Sequence, residues 1–171
     1  LTHGPFQFHV VALSYFLFGD NDFTARIPVV VTSILTVAFM WNFRRYLGRA
    51  GALVAAFLLT ISPYMLYYGR YVRNESYVGL FGVMALWAIL RYLDTGENRY
   101  LYWLTLATAL HFITKETSFI YVAQAMLFLG LLFVQQVSQR KWGGTRDKQL
   151  FLVFLGGTFA LLLIAVGIHQ L

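Results

Sequence analysis

The chain has 171 residues, of which 59% are hydrophobic and 12% are charged, against about 25% charged residues in ordinary soluble domains. This balance excludes a soluble globular domain and predicts a membrane protein. The net charge of +6 comes from small basic clusters between apolar runs, which is typical of membrane topology rather than of a nucleic-acid-binding stripe. No nucleic-acid partner is therefore expected. The chain has no cysteine, which excludes disulfide and thiol chemistry.

Seven apolar runs follow one another along the chain. The first, over residues 6–18, is too short to cross roughly 30 Å of hydrocarbon as a helix, and we expect it to lie in the membrane interface. The other six are each predicted to be a transmembrane helix: 27–43, 50–68, 75–93, 100–114, 117–137 and 150–168. The predicted fold class is an all-α integral membrane protein with about six transmembrane helices and an external juxtamembrane helix.

The domain organisation follows from these runs. We expect a single domain, with an external segment over residues 1–24 and a transmembrane bundle over 26–171. The chain begins without an initiator methionine, and its last apolar run reaches residue 171 without a closing loop. On this pattern we expect the chain to be a fragment of a longer protein.

The basic residues are distributed unevenly between the two sides of the predicted bundle. Nine of the 13 Lys and Arg residues fall in the loops after the first, third and fifth spans. The remaining four fall on the opposite side: Arg26, Arg70, Arg73 and Lys115. By the positive-inside rule the nine are cytoplasmic and the four are external. The expected location is the plasma (inner) membrane, with the active face external.

Residues 64–77 interrupt the apolar pattern with charged and aromatic side chains at one mouth of the membrane. On a helix, Arg70, Arg73 and Asn74 would share one face, with Glu75 about a third of a turn away. Two cations beside a carboxylate suit an anionic ligand, and charge at a membrane mouth is typical of a functional site. The competing interpretation is an interfacial aromatic belt in which the two arginines are snorkelling anchors.

Six short motifs or motif pairs follow one another along the chain. They are His3-Gly-Pro-Phe6, Leu17-Phe-Gly19, Ala25-Arg-Ile-Pro28, Ser62-Pro63 with Tyr68-Gly-Arg70, Arg73-Asn-Glu75, and Thr114-Lys115. In order and spacing this set resembles the integral-membrane glycosyltransferases of the GT-C fold. The resemblance is closest to the branch of the dolichyl-phosphate-mannose protein mannosyltransferases and the aminoarabinose-transferase-like enzymes. It implies a partial GT-C fold and an enzyme that moves a sugar from a polyprenyl-phosphate donor to an acceptor at the outer membrane face.

The resemblance also implies roles for individual residues. Glu75 is the expected catalytic residue of this chain, because an acceptor hydroxyl needs a carboxylate to orient it or to take its proton, directly or through a divalent metal. Substrate binding is expected of five residues: Arg70, Arg73, Lys115, His3 and Tyr68. The cations among them suit the leaving phosphate. In this class the principal catalytic carboxylate follows the first transmembrane helix, before residue 1, so this chain alone is expected to be inactive.

The identity of a divalent metal site and the function both remain open. No metal ligand set is assigned, because His3 and His9 are six residues apart with a proline between them, which is a poor helical metal pair. The alternative function is a membrane transporter or flippase-associated protein without transferase activity. A transporter typically carries charges at mid-membrane and repeated halves, whereas here the charges gather at one face and no repeat is visible.

Overall fold

The computed structural model describes residues 4–140 and 145–169. Within these ranges the chain forms eight α-helices and one 3₁₀ turn, the latter at Met40–Phe43. The helices are α1 (Phe6–Phe18), α2 (Asp22–Phe39), α3 (Arg44–Ile61), α4 (Pro63–Tyr68), α5 (Glu75–Thr95), α6 (Arg99–Thr114), α7 (Ser118–Gln139) and α8 (Thr145–His169). The prediction of an all-α membrane protein is confirmed.

Three stretches of the described chain are long and apolar enough to cross a membrane, judged by length and composition. They are Asp22–Ile61, Glu75–Thr95 and Ser118–Gln139. The first of them contains both α2 and α3. With 16 residues, α6 extends only about 24 Å, which is shorter than the hydrocarbon core. The count of six spans therefore stays a prediction.

The predicted span 50–68 is broken near its end. Ser62 takes an extended conformation with φ −60° and ψ 125°, and Pro63 then starts the separate helix α4. A proline disfavours helical geometry at the residue before it, and its own missing N–H is tolerated in a first helical turn. A second break lies at Gly48 in α3, where φ is +73°, a value that glycine adopts without the strain of a side chain.

The structure divides into two units, Leu1–Ala125 and Met126–Leu171. In the first unit α5 and α6 are antiparallel neighbours, joined by a turn in which Gly96 has a left-handed conformation. A core of four buried side chains sits where α2 meets α5: Val29, Tyr77, Leu80 and Phe81. In the second unit, Lys148 at the start of α8 donates a hydrogen bond to the backbone carbonyl of Ser138 at 3.1 Å.

Helix α1 is fixed to the first unit at both of its ends. Near its C-terminus, the buried Ser14 hydroxyl donates to the backbone carbonyl of Thr24 at 2.7 Å. Near its N-terminus, the Phe6 ring packs edge-on against Tyr77 and Phe81, with centroid distances of 5.4 and 5.5 Å. The Phe6 contacts hold the first turn of α1 close to the start of α5.

Charged side chains of the first unit collect at the two ends of the α5–α6 pair. At the end where α5 finishes, Arg45 and Tyr46 both contact the Asp94 carboxylate, at 2.9 and 3.2 Å. Arg91 donates to the Tyr100 hydroxyl at 2.6 Å at the same end. The opposite end, where α5 begins and α6 finishes, holds the candidate site.

Candidate functional site

Glu75 opens helix α5 and lies mostly buried, with 12% of its side chain exposed. The segment before it, residues 69–74, consists of turns and bends. An acidic residue in a first helical turn is stabilised by the partial positive charge of the helix N-terminus. The carboxylate is therefore held at a fixed position at one end of α5.

Lys115 lies directly after α6 and carries the cation that neutralises Glu75. Its Nζ is 2.8 Å from Glu75 Oε1, and 18% of its side chain is exposed. The two residues are 40 positions apart, and the antiparallel arrangement of α5 and α6 brings them together. A cation is also favourable at a helix C-terminus, where the unpaired carbonyls carry partial negative charge.

The backbone around Lys115 is fixed by hydrogen bonds at the end of α6. The Lys115 N–H donates to the His111 carbonyl at 3.1 Å. The fully buried Ser118 hydroxyl directs its one hydrogen between the carbonyls of His111, at 2.6 Å, and of Lys115. These bonds satisfy the His111 carbonyl at the end of α6 and fix the backbone from which the Lys115 side chain reaches Glu75.

Arg73 is the second cation near Glu75 and is bound more loosely. Its Nε lies 3.6 Å from Glu75 Oε2, which is an ion-pair distance but too long for a hydrogen bond, and 47% of its side chain is exposed. Its guanidinium lies 6.0 Å from the centre of the Tyr68 ring. Glu75 Oε2 itself is buried and has no hydrogen-bond partner among the described residues. The carboxylate thus has one oxygen engaged by Lys115 and one that retains its capacity to accept a hydrogen bond.

Arg70 lies elsewhere, and the predicted helical face of Arg70, Arg73 and Asn74 is wrong. Residues 69–74 are not helical, because α4 ends at Tyr68 and α5 begins at Glu75. The exposed Arg70 lines an apolar cavity between α2, α3 and α4. Of the four charged residues at this mouth, the structure brings Arg73, Glu75 and Lys115 together and gives no contact between Arg70 and Glu75 among the described residues.

His3 lies outside the described residues, but the chain next to it meets the end of α6. The Gly4 N–H donates to the Thr114 carbonyl at 3.2 Å. A Cβ added to Gly4 would lie 2.0 Å from the Ile113 carbonyl oxygen, so only glycine fits there. The His3-Gly-Pro-Phe6 motif therefore contains, at Gly4, a backbone contact with Thr114, the residue directly before Lys115.

Three buried polar side chains near this end of the pair were not predicted as site residues. They are Asn74, Tyr77 and His111, which are 4%, 2% and 3% exposed. Asn74 Oδ1, Tyr77 OH and His111 Nε2 have no hydrogen-bond partner among the described residues. The His111 ring packs on Tyr121, with the ring centroids 4.7 Å apart. The position of His111 in the last turn of α6, four residues before Lys115, was the available signal.

The described residues contain no group of three His, Cys, Asp or Glu side chains that would hold a metal ion. Glu75 offers one oxygen, and its neighbours at the site are the cations Lys115 and Arg73, which repel a metal ion. The chemistry available to this part of the chain is therefore electrostatic stabilisation of an anion and hydrogen bonding to a hydroxyl.

The fold and the site define an all-α membrane protein with a charged site at one end of a helix pair. A family model described as dolichyl-phosphate-mannose-protein mannosyltransferase matches residues 2–169, and the chain belongs to this family. It is accordingly a membrane glycosyltransferase of the mannosyltransferase kind. The resemblance found in the motifs is confirmed at the level of the family. Comparisons with curated proteins and with solved structures found no significant match.

Proposed function

We propose that the protein transfers a sugar from a polyprenyl-phosphate donor to an acceptor hydroxyl at the outer membrane face, and that Glu75, Lys115 and Arg73 belong to its active site. The observation that carries the proposal is the largely buried Lys115–Glu75 pair, 2.8 Å apart, at one membrane mouth. Replacing a buried ion pair with apolar side chains of similar volume is often neutral or stabilising, so stability alone does not explain why the pair is charged. Ionisable side chains in membrane proteins are typical of functional sites, which supports a functional role.

Lys115 is proposed to bind the donor phosphate. An ammonium group has three hydrogen-bond donors, and one of them is directed at Glu75 Oε1, so two remain for phosphate oxygens. Arg73, which is half exposed beside the same carboxylate, adds a second cation. As the bond between the sugar and the phosphate breaks, negative charge grows on the phosphate, and cations fixed in a partly dry site stabilise it.

Glu75 is proposed to orient the acceptor hydroxyl. Its Oε2 is the oxygen without a hydrogen-bond partner among the described residues, and a hydroxyl can donate to it. The two neighbouring cations favour the ionised form, which accepts hydrogen bonds and does not donate them. This environment suits a positioning carboxylate, which stays ionised while it accepts the hydrogen bond of the acceptor hydroxyl.

The aromatic-belt interpretation accounts for some neighbours of the site but not for its centre. Tyr64, Tyr67 and Tyr71 are 54%, 55% and 57% exposed, as expected of rings at a membrane interface. Lys115 is only 18% exposed and is directed at a carboxylate, whereas a snorkelling lysine extends its charge into water. The external orientation of this end is inferred from the positive-inside rule, and the plasma membrane is the proposed location.

The proposal is tested with the full-length protein in liposomes, by measuring sugar transfer from polyprenyl-phosphate-linked and nucleotide-linked donors. We expect transfer from the lipid-linked donor only. Glu75→Gln should lower turnover by about 100-fold, because it removes the charge that orients the acceptor and keeps the shape. Glu97→Gln, the same change in an exposed ion pair at the opposite end of α5–α6, is the matched control and should retain activity. Normal turnover in Glu75→Gln would exclude that residue from the active site.

A further inference from the structure

The end of the first unit that lies opposite the candidate site is strongly basic. It contains five arginines, three at the start of α3, one near the end of α5 and one at the start of α6: Arg44, Arg45, Arg49, Arg91 and Arg99. The same segments carry only two carboxylates, Asp94 and Glu97, so positive charge is in excess by three at this end.

Tertiary contacts join these arginines into one surface, which we call the basic patch. Arg45 Nε lies 2.9 Å from Asp94 Oδ2, which ties the start of α3 to the end of α5. The guanidinium groups of Arg91 and Arg99 each lie 5.0 Å from the centre of the buried Tyr100 ring, which ties the end of α5 to the start of α6. Two loops that are distant in sequence therefore contribute to the same patch.

Both carboxylates of the basic patch are already neutralised. Asp94 pairs with Arg45, and Glu97 pairs with its neighbour Arg99. Three arginines of the patch have no carboxylate within ion-pair distance in the part of the chain that the structure describes: Arg44, Arg49 and Arg91. A guanidinium group has five N–H donors in a planar fork that matches phosphate oxygens, so these side chains can bind a phosphate group.

Exposed apolar side chains lie beside the unpaired arginines. Trp41, Leu47 and Leu93 are all exposed, and the Arg44 guanidinium lies 5.3 Å from the centre of the Trp41 ring. A soluble anion gains nothing from such apolar surface, whereas a phospholipid presents a phosphate joined to hydrocarbon chains. Tryptophan is also typical of the level at which lipid headgroups lie. The basic patch therefore has the chemistry of a headgroup site.

We propose that the basic patch binds the headgroup of an anionic phospholipid in the cytoplasmic leaflet. Charge complementarity supports the choice of lipid, because an excess of three positive charges matches a headgroup with a net negative charge. A zwitterionic headgroup brings its own cation to the patch and gains less. The leaflet is the one on the side that the positive-inside rule assigns to the cytoplasm. The proposal concerns the end remote from the candidate active site and does not depend on the proposed function.

A photocrosslinking residue placed at Leu47 in the full-length protein tests the site. In liposomes of equal parts phosphatidylglycerol and phosphatidylcholine, benzoylphenylalanine at this exposed position captures neighbouring lipids, and mass spectrometry gives the ratio of the two. We expect phosphatidylglycerol to be captured about 10-fold more often. The same reagent at Ile61, which is exposed at the other end of α3, should capture the two lipids about equally. Equal capture at Leu47, or equal enrichment at both positions, would overturn the proposal.

Two sets of substitutions test whether the arginines cause the enrichment. Arg44→Gln combined with Arg49→Gln removes two unpaired charges, and the capture ratio at Leu47 should fall to about 2-fold or less. Arg26→Gln, which neutralises an exposed arginine on the opposite side, is the matched control and should retain the wild-type ratio. If the double variant does not fold, the exposed Arg49→Gln alone takes its place, with a reduction of about 3-fold expected. An unchanged ratio would remove the arginines from the site.

A soluble headgroup analogue separates a lipid site from a site for free phosphate. Glycerol 3-phosphate, added in excess over the lipid, carries the phosphate without acyl chains and should leave the capture ratio at Leu47 unchanged. Loss of phosphatidylglycerol capture in its presence would overturn the assignment to a lipid and indicate a soluble phosphate ligand. Because the ratio is measured without any sugar donor, its outcome is distinct from that of the transfer assay.

Discussion

Replacing Lys115 by Met removes one charge of the largely buried ion pair and keeps most of the side chain's volume. Deleting one partner of a fully buried pair costs about 3–5 kcal/mol, because the other charge is left uncompensated. Here 18% of Lys115 and 12% of Glu75 are exposed, and Arg73 remains 3.6 Å from Glu75 Oε2. We therefore expect the free energy of unfolding of Lys115→Met to fall by about 2 kcal/mol.

The interaction itself is isolated by a double-mutant cycle that combines Lys115→Met with Glu75→Gln. Unfolding in mixed detergent micelles, followed by circular dichroism, should give a coupling free energy of about 1–2 kcal/mol. The control cycle uses Arg99→Met and Glu97→Gln, an exposed pair for which about 0–1 kcal/mol is expected. A coupling at the first pair no larger than at the control would show that the Lys115–Glu75 contact is not a stabilising interaction, and the reasoning from burial would fail.

Three further predictions concern the neighbours of this pair. Arg73→Ala should reduce transfer less than Lys115→Ala does, because Arg73 is 47% exposed and 3.6 Å from the carboxylate; equal losses of kcat/KM would contradict this ranking. Gly4→Ala should lower the free energy of unfolding by about 1–3 kcal/mol, since its Cβ would meet the Ile113 carbonyl; an unchanged thermal midpoint would show that the N-terminal segment does not pack there. A cysteine at Tyr71 should react with an impermeant reagent from outside and one at Asn98 from inside; the reverse result would invert the proposed orientation.

Helices α5 and α6 and the contact between Glu75 and Lys115 were predictable from the sequence. Apolar runs locate α5 and α6, and a short polar loop between them makes the pair antiparallel. Antiparallel pairing then brings the residue before one span close to the residue after the next, which is the geometry of Glu75 and Lys115. These features follow from length and hydrophobicity alone.

The connection between α4 and α5 was not predictable in the same way. Arg70 and Arg73 have helical spacing, but the break at Ser62-Pro63 leaves α4 only six residues long, and the following six residues form turns. Which way Arg70 points depends on the packing of α4 against α2, where Gly69 meets Ser33. The burial of Tyr77 likewise depends on Phe6, which is distant in sequence. Such tertiary contacts leave no signal in a local pattern.

The central claim, that Lys115 binds donor phosphate and Glu75 acts on the acceptor, is tested most directly by kcat and KM for the lipid-linked donor in Lys115→Ala and Glu75→Gln. A phosphate contact exists in both the ground state and the transition state, so Lys115→Ala should raise the donor KM and also lower kcat, each by about 10-fold or more. Glu75→Gln should lower kcat by about 100-fold with a donor KM near that of the wild type. A Lys115→Ala protein with wild-type values of both constants would contradict the claim.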